Sequence, residues 1–132
     1  GLDAMLCSKL KVQGKKADLS DWEKKLHAVF HPKKKIAIGV VGKYIEHKDA
    51  YKSVFESLQH AAIAMEADLD LKTFDSEKIM KASSIQEAIG GCDGYLVPGG
   101  FGERGWEGKV ATARYCRESQ IPYFGLCLGM QV

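Results

Sequence analysis

One cysteine is set between two glycines, Gly125-Leu126-Cys127-Leu128-Gly129, directly after the apolar run Ile121-Pro122-Tyr123-Phe124. Gly-x-Cys-x-Gly is the thiol form of the nucleophile elbow, a sharp strand-to-helix turn that presents a reactive side chain above the end of a sheet. A Cβ at Gly125 or Gly129 would crowd such a turn, and its strained backbone favours residues without one. A thiol that opens the following helix faces unpaired amide N–H groups and the positive end of the helix dipole, which favour thiolate over thiol. The chemistry this prepares is attack on a carbonyl carbon. A buried structural cysteine at a strand end is served by the same residues, so the neighbours decide.

Attack on a carbonyl leaves an oxyanion that needs donors, each worth roughly 3 kcal/mol of transition-state stabilisation. The chain supplies a candidate loop after Gly94-Tyr95-Leu96-Val97: Pro98 followed by Gly99, Gly100, Gly102, Gly105 and Gly108 in close succession. The expected donors are the backbone N–H of Gly99 or Gly100 and that of Leu128, the residue after the cysteine.

These pieces meet only if the intervening chain builds a parallel sheet. Ile36-Ala37-Ile38-Gly39-Val40-Val41 is continuously apolar, as for a strand covered on both faces. Leu69-Asp70-Leu71-Lys72-Thr73-Phe74 alternates, which predicts a strand nearer the sheet edge. With the runs at 94–97 and 121–126 there are four strands. Between them fall an amphipathic helix (Tyr51, Val54, Phe55, Leu58, Ala62 and Met65, with Asp49 as N-cap), a short helix opened by Ser84-x-x-Glu87 and closed by Gly90-Gly91, and a helix over 110–119. Strand and helix alternate from 36 to 132, so the predicted class is α/β, a parallel sheet with helices on both faces. Ligands sit beyond the carboxyl ends of such strands. Gly42-Lys43-Tyr44, the glycine loop and Cys127 all fall at that edge.

Residues 1–35 read differently. Short apolar clusters flank the polar stretch Lys11 to Lys16, and Ser20-x-x-Glu23 predicts a capping box for a short helix with Trp22, Leu26, Val29 and Phe30 on one docking face before Pro32. This is a connector, with the domain boundary at Lys33-Lys34-Lys35. It holds nine lysines against four acidic residues, whereas the remainder holds ten basic against thirteen acidic. The basic leader lacks the interleaved aromatics of a nucleic-acid surface, and a net charge of +2 gives no argument for nucleic acid or membrane. The four cysteines, Cys7, Cys92, Cys116 and Cys127, form no C-x-x-C pair or zinc spacing, and no metal site is expected. With no signal peptide or membrane-length apolar run, the expectation is a soluble cytoplasmic protein. Gly100-Phe101-Gly102-Glu103-Arg104-Gly105 satisfies G-x-G-x-x-G, but a dinucleotide fingerprint follows the first strand and has an acidic residue about 20 positions on; here that position falls near Pro122.

Gly125 to Gln131 and Pro98-Gly99-Gly100 resemble the nucleophile motif and oxyanion strand of the class I (triad) glutamine amidotransferases. The likeness narrows to the branch that makes CTP, through Gly42-Lys43-Tyr44, Asp49-Ala50-Tyr51-Lys52-Ser53-Val54, Val97 to Gly105, Glu107-Gly108-Lys109 and, in the leader, Leu19-Ser20-Asp21-Trp22-Glu23. The resemblance implies a flavodoxin-like glutaminase domain, here incomplete. It would release ammonia from glutamine to an amidoligase domain that phosphorylates UTP with ATP and magnesium, in a homo-tetrameric parent activated by GTP. Carried over, Cys127 is the nucleophile, Gly99 and Leu128 are oxyanion donors, and Gly100, Phe101, Leu128, Gly129, Met130 and Gln131 line the glutamine pocket. Arg104, Gly105 and Glu107 match the lid implicated in GTP activation.

The departure is in acid–base chemistry. The family's base is a histidine oriented by a glutamate two residues beyond it, well after the nucleophile. Here His27, His31, His47 and His60 all precede Cys127, and none belongs to a His-x-Glu pair. His60 is expected to be solvated and His47 to lie in a surface loop. The leaving ammonia needs an acid and the deacylating water a base, so the 132 residues are expected to be an inactive internal piece holding the linker and the first part of the glutaminase domain. The alternatives are another amidotransferase of the same class, or a non-catalytic binding or assembly module with Cys127 inert.

Overall fold

The computed structural model describes residues 1–13, 17–47, 49–100 and 102–132. Four strands, β1 (Lys34–Gly42), β2 (Ala67–Asp75), β3 (Gly94–Val97) and β4 (Tyr123–Gly125), form one sheet in the order β2-β1-β3-β4. Every pairing is parallel, as the unalternating β1 run predicts, and the alternating β2 lies at an edge. The helices are α1 (Leu2–Leu10), α2 (Ser20–Phe30), α3 (Lys52–Ala64), α4 (Ser76–Ile79), α5 (Ile85–Ile89), α6 (Trp106–Glu118) and α7 (Leu128–Gln131). None is long and apolar enough to cross a membrane.

Strand alternation divides the core between two faces. Val41, Tyr95 and Val97 pack with Ile79 of α4, Ile89 of α5, Cys92 and Cys116 of α6, with Phe74, Tyr115 and Tyr123 around them. On the other face Ile36, Ile38 and Leu69 line a 180 Å³ cavity together with Leu58 and Ala62 of α3. The sheet is therefore covered from both sides, but unequally. Phe124 on the edge strand β4 remains 61% exposed.

Several local expectations are corrected. Within the leader, Leu2–Leu10 is helical although none of its residues is buried. Ser20 does not cap α2. It is the first helical residue after Leu19, and its N–H donates to Asp18 Oδ1 at 3.0 Å. α2 packs against α3 and β2 through Ala28, its one buried residue. Trp22, Leu26, Val29 and Phe30, the expected docking face, are exposed. Asp49 does not cap α3 either; Tyr51 is the N-cap. Tyr51 is buried under Gly42, and its hydroxyl accepts the Tyr44 N–H at 3.4 Å, so a tertiary anchor sets the helix start. Met65, expected on the apolar stripe, is exposed. α6 begins at Trp106, a turn before the expected 110. The α5 cap is as predicted, with Ser84 Oγ accepting the Glu87 N–H at 3.1 Å.

Candidate functional site

The register of β3 against β4 builds the site. Val97 pairs with Gly125, and the Leu126 N–H donates to the Val97 carbonyl at 2.9 Å. Two residues beyond each partner lie Gly99 and Cys127. A Cβ added to Gly99 would stand 3.3 Å from Cys127 Cβ and 3.5 Å from its Sγ, so the glycine loop and the thiol face one another directly. β1 continues the row. Its pairing with β3 brings Lys43 Cε and the Tyr44 ring to 3.4 Å from the space a Gly100 Cβ would fill.

Cys127 is the N-cap of α7, with φ 55° and ψ −113°. Such backbone is costly for a side-chain-bearing residue and persists only where the surroundings impose it. They do so through the two glycines. A Cβ on Gly125 would collide with the Gly129 carbonyl, and one on Gly129 with the Val97 carbonyl. The Tyr123 hydroxyl donates to the Gly129 carbonyl and ties α7 back to β4. Held this way the Cys127 side chain is exposed, whereas Cys92 and Cys116 are buried and Cys7 is half-buried. Burial pushes the Cys116 thiol up to about 11 and raises that of Cys92. Cys127 is thus the accessible thiol at the sheet's carboxyl edge.

Leu128 opens α7, where first-turn amides have no carbonyl within the helix. Gly129 is buried beside it, while Met130 and Gln131 are exposed. Gly100 has φ 128°, a value that favours glycine. Phe101 lies outside the described residues. A 680 Å³ cleft is lined by Gly102, Gly105, Glu107 and Leu128 together with Ser76 and Trp106. Gly105 and Glu107 are therefore brought to the elbow's flank, but Cys127 and Gly99 are not part of this cleft's lining. Arg104 is not part of this lining but pairs with Glu77, which is. The Arg104 guanidinium lies 3.1 Å from the Glu77 carboxylate and 5.9 Å from the Tyr44 ring centre. The cleft lining holds no histidine; His60 and His47 are exposed. Among the described residues no cluster of His, Cys, Asp or Glu is arranged to hold a metal ion.

The sequence reading gave Lys109 no role of its own. It is 1% exposed, and its Nζ donates to the carbonyls of Pro98 at 3.2 Å, Gly99 at 3.4 Å and Gly100 at 3.5 Å. Burial, and then the Lys43 charge, pull this ammonium below the ordinary lysine value, while the Cys127 sulfur works in the opposite direction. The available signal was its spacing. Lys109 shares a helical stripe with the buried Thr112 and Cys116.

Residues 46–132 match the family Glutamine amidotransferase class-I. The chain belongs to the class-I glutamine amidotransferase family. Over its whole length this amidotransferase chain is 53% identical to a CTP synthase of Protochlamydia amoebophila and 48% identical to one of Bacillus velezensis. It spans 24% of the length of each of these curated relatives. Among solved structures it is similar to the glutaminase domain of Trypanosoma brucei CTPS with bound acivicin, at 44% identity and a TM-score of 0.63, covering 73% of this chain and 38% of that one. The parallel α/β architecture agrees with that neighbour.

Proposed function

We propose that these residues are the linker (1–35) and the first part of the glutaminase domain (36–132) of a CTP synthase. In this reading Cys127 is the nucleophile that takes ammonia from glutamine. The observation that carries it is the strained, exposed Cys127 held against Gly99, in a chain whose full length is similar to CTP synthases. The thiolate attacks the side-chain amide carbon of glutamine, and the carbonyl electron pair moves onto oxygen. The N–H groups of Gly99 and Leu128 bind that oxyanion. Collapse breaks the C–N bond, ammonia leaves with an added proton, and a thioester to Cys127 remains. Water then cleaves the thioester to glutamate and restores the thiol. Gly100, Phe101, Gly129, Met130 and Gln131 line the glutamine pocket, and Arg104, Gly105 and Glu107 form the lid through which GTP acts.

The acid–base pair of the class, a histidine with a glutamate two residues on, belongs to the part of the relatives' length that this chain does not span, as does the amidoligase domain. There ATP, with magnesium, activates the uracil O4 of UTP for the ammonia. The whole enzyme is then a cytoplasmic ligase of pyrimidine biosynthesis, assembled as a homo-tetramer. The test is Cys127→Ala in the full-length protein. Glutamine-dependent CTP formation is expected to vanish while formation from added ammonia persists. Retained glutamine turnover would remove Cys127 from the reaction, and failure with ammonia in the unaltered protein would remove the CTP assignment.

A further inference from the structure

β3 ends at Val97, so beyond it no strand ladder sets the orientation of the peptide groups. The residues that follow include two glycines, and glycine-rich backbone has many conformations to choose from. Yet the carbonyls of Pro98, Gly99 and Gly100 all converge on one atom, Lys109 Nζ. An ammonium has three donors and no acceptor, which matches three carbonyls. Among the described residues no peptide bond is cis, and a trans peptide carries its C=O and N–H on opposite sides. Anchoring the Pro98 and Gly99 carbonyls therefore turns the Gly99 and Gly100 N–H groups away from the amine.

The anchor itself is enclosed by packing. Lys109 lies on the 13-residue α6 between the buried Gly108 and Thr112, one turn before Thr112 and two before Cys116, both fully buried. Burying an ammonium is costly, and an apolar side chain of equal length would fill the same sleeve at less expense to the fold. What an apolar residue cannot supply is direction.

We propose that Lys109 is a positioning residue for glutamine hydrolysis: its buried amine clamps three consecutive carbonyls of the glycine loop and so aims the loop's amides at the oxyanion formed over Cys127. This rests on the reading of Cys127 as the glutamine-attacking nucleophile. Lys109 touches neither substrate nor reacting atoms in this scheme; it acts through Gly99 and Gly100.

The experiment compares Lys109→Met and Lys109→Gln with the unaltered full-length protein, beside Cys127→Ala. The methionine variant is expected to lose about a hundred-fold in kcat for glutamine hydrolysis, the scale of a misplaced reacting group. Its KM stays within about threefold, since transition-state stabilisation rather than binding is lost. Ammonia-dependent turnover is unchanged. Labelling of Cys127 by a chloroketone analogue of glutamine, which forms an oxyanion, slows with kcat. Alkylation by iodoacetamide, which needs the thiolate but no oxyanion donor, changes by no more than about fivefold. The glutamine variant, keeping one donor group, falls between. Unchanged kcat in Lys109→Met overturns the proposal, as does iodoacetamide reactivity that falls in parallel with kcat. If the methionine variant does not fold, the glutamine variant decides alone: unaltered kcat overturns the proposal, and lost kcat with retained alkylation sustains it. Glutamine turnover by Cys127→Ala would instead remove the reading beneath, whereas a Cys127-dependent enzyme indifferent to Lys109 removes only this inference.

Discussion

Cys127 pays for its position with a backbone conformation, φ 55°, that few residues with side chains accept. The neighbouring glycines make that conformation reachable, so the elbow is most sensitive at positions that carry no chemistry. Gly129→Ala would drive a methyl into the Val97 carbonyl. It is expected to destabilise the protein by about 3 kcal/mol or more, read as a lowered denaturation midpoint with Cys127 reactivity lost in step. The second prediction separates the thiols. At neutral pH a glutamine-like chloroketone is expected to label Cys127 and leave Cys116 unmodified, because Cys116 is fully buried and its thiol is held up to about 11. Peptide mapping checks this, and modification of Cys116 in the folded protein would contradict it.

Among the elements, α5 and α4 both begin at a side-chain cap, to which α4 adds close tertiary packing. α5 has only five residues, and its start is written in its own side chains, Ser84 capping the Glu87 N–H. Ser84→Ala is expected to cost about 1 kcal/mol, measurable by urea unfolding. α4 is capped too, Asp75 Oδ1 accepting the Glu77 N–H at 2.9 Å, and tertiary packing fixes it further. Its Ser76 lies against Gly105 and Gly108 at the opening of α6, and the buried Ser76 hydroxyl finds no hydrogen-bond partner among the described residues. An unsatisfied buried hydroxyl destabilises by roughly 1 to 3 kcal/mol. Ser76→Ala is therefore expected to leave stability unchanged or raise Tm, the reverse of the usual effect of truncation in a core.

For the whole molecule, titration follows from where the core sits. Cys116 and Tyr123 both lie on the α6 face, and burial raises them from ordinary values of 9.0 and 10.0 to about 11 and about 12. A raised value means that the folded state keeps its proton after the unfolded chain has released it. Their contribution is whole below about pH 9 and is lost as pH rises through 11 and 12. Stability is thus expected to fall over this alkaline range, and Cys116→Ala to flatten the fall between 9 and 11. Chemical unfolding at a series of pH values checks the slope.

Hydrophobic periodicity and glycine placement were enough, by themselves, to specify a parallel α/β sheet, the edge position of β2, the strand-to-helix turn at Cys127 and the glycine loop as its partner. Those properties are written in near neighbours along the chain, where a side chain's polarity and size act within a few residues. Three things were settled only by tertiary structure. The pairing of Val97 with Gly125 decided that Gly99 meets Cys127, because register depends on two segments at once. The burial of Tyr51 under Gly42 overrode the capping that Asp49 suggested. The amine of Lys109 reached the carbonyls of Pro98, Gly99 and Gly100 because α6 crosses the end of β3, and a lysine's partners are chosen by what the fold brings within reach of its tip.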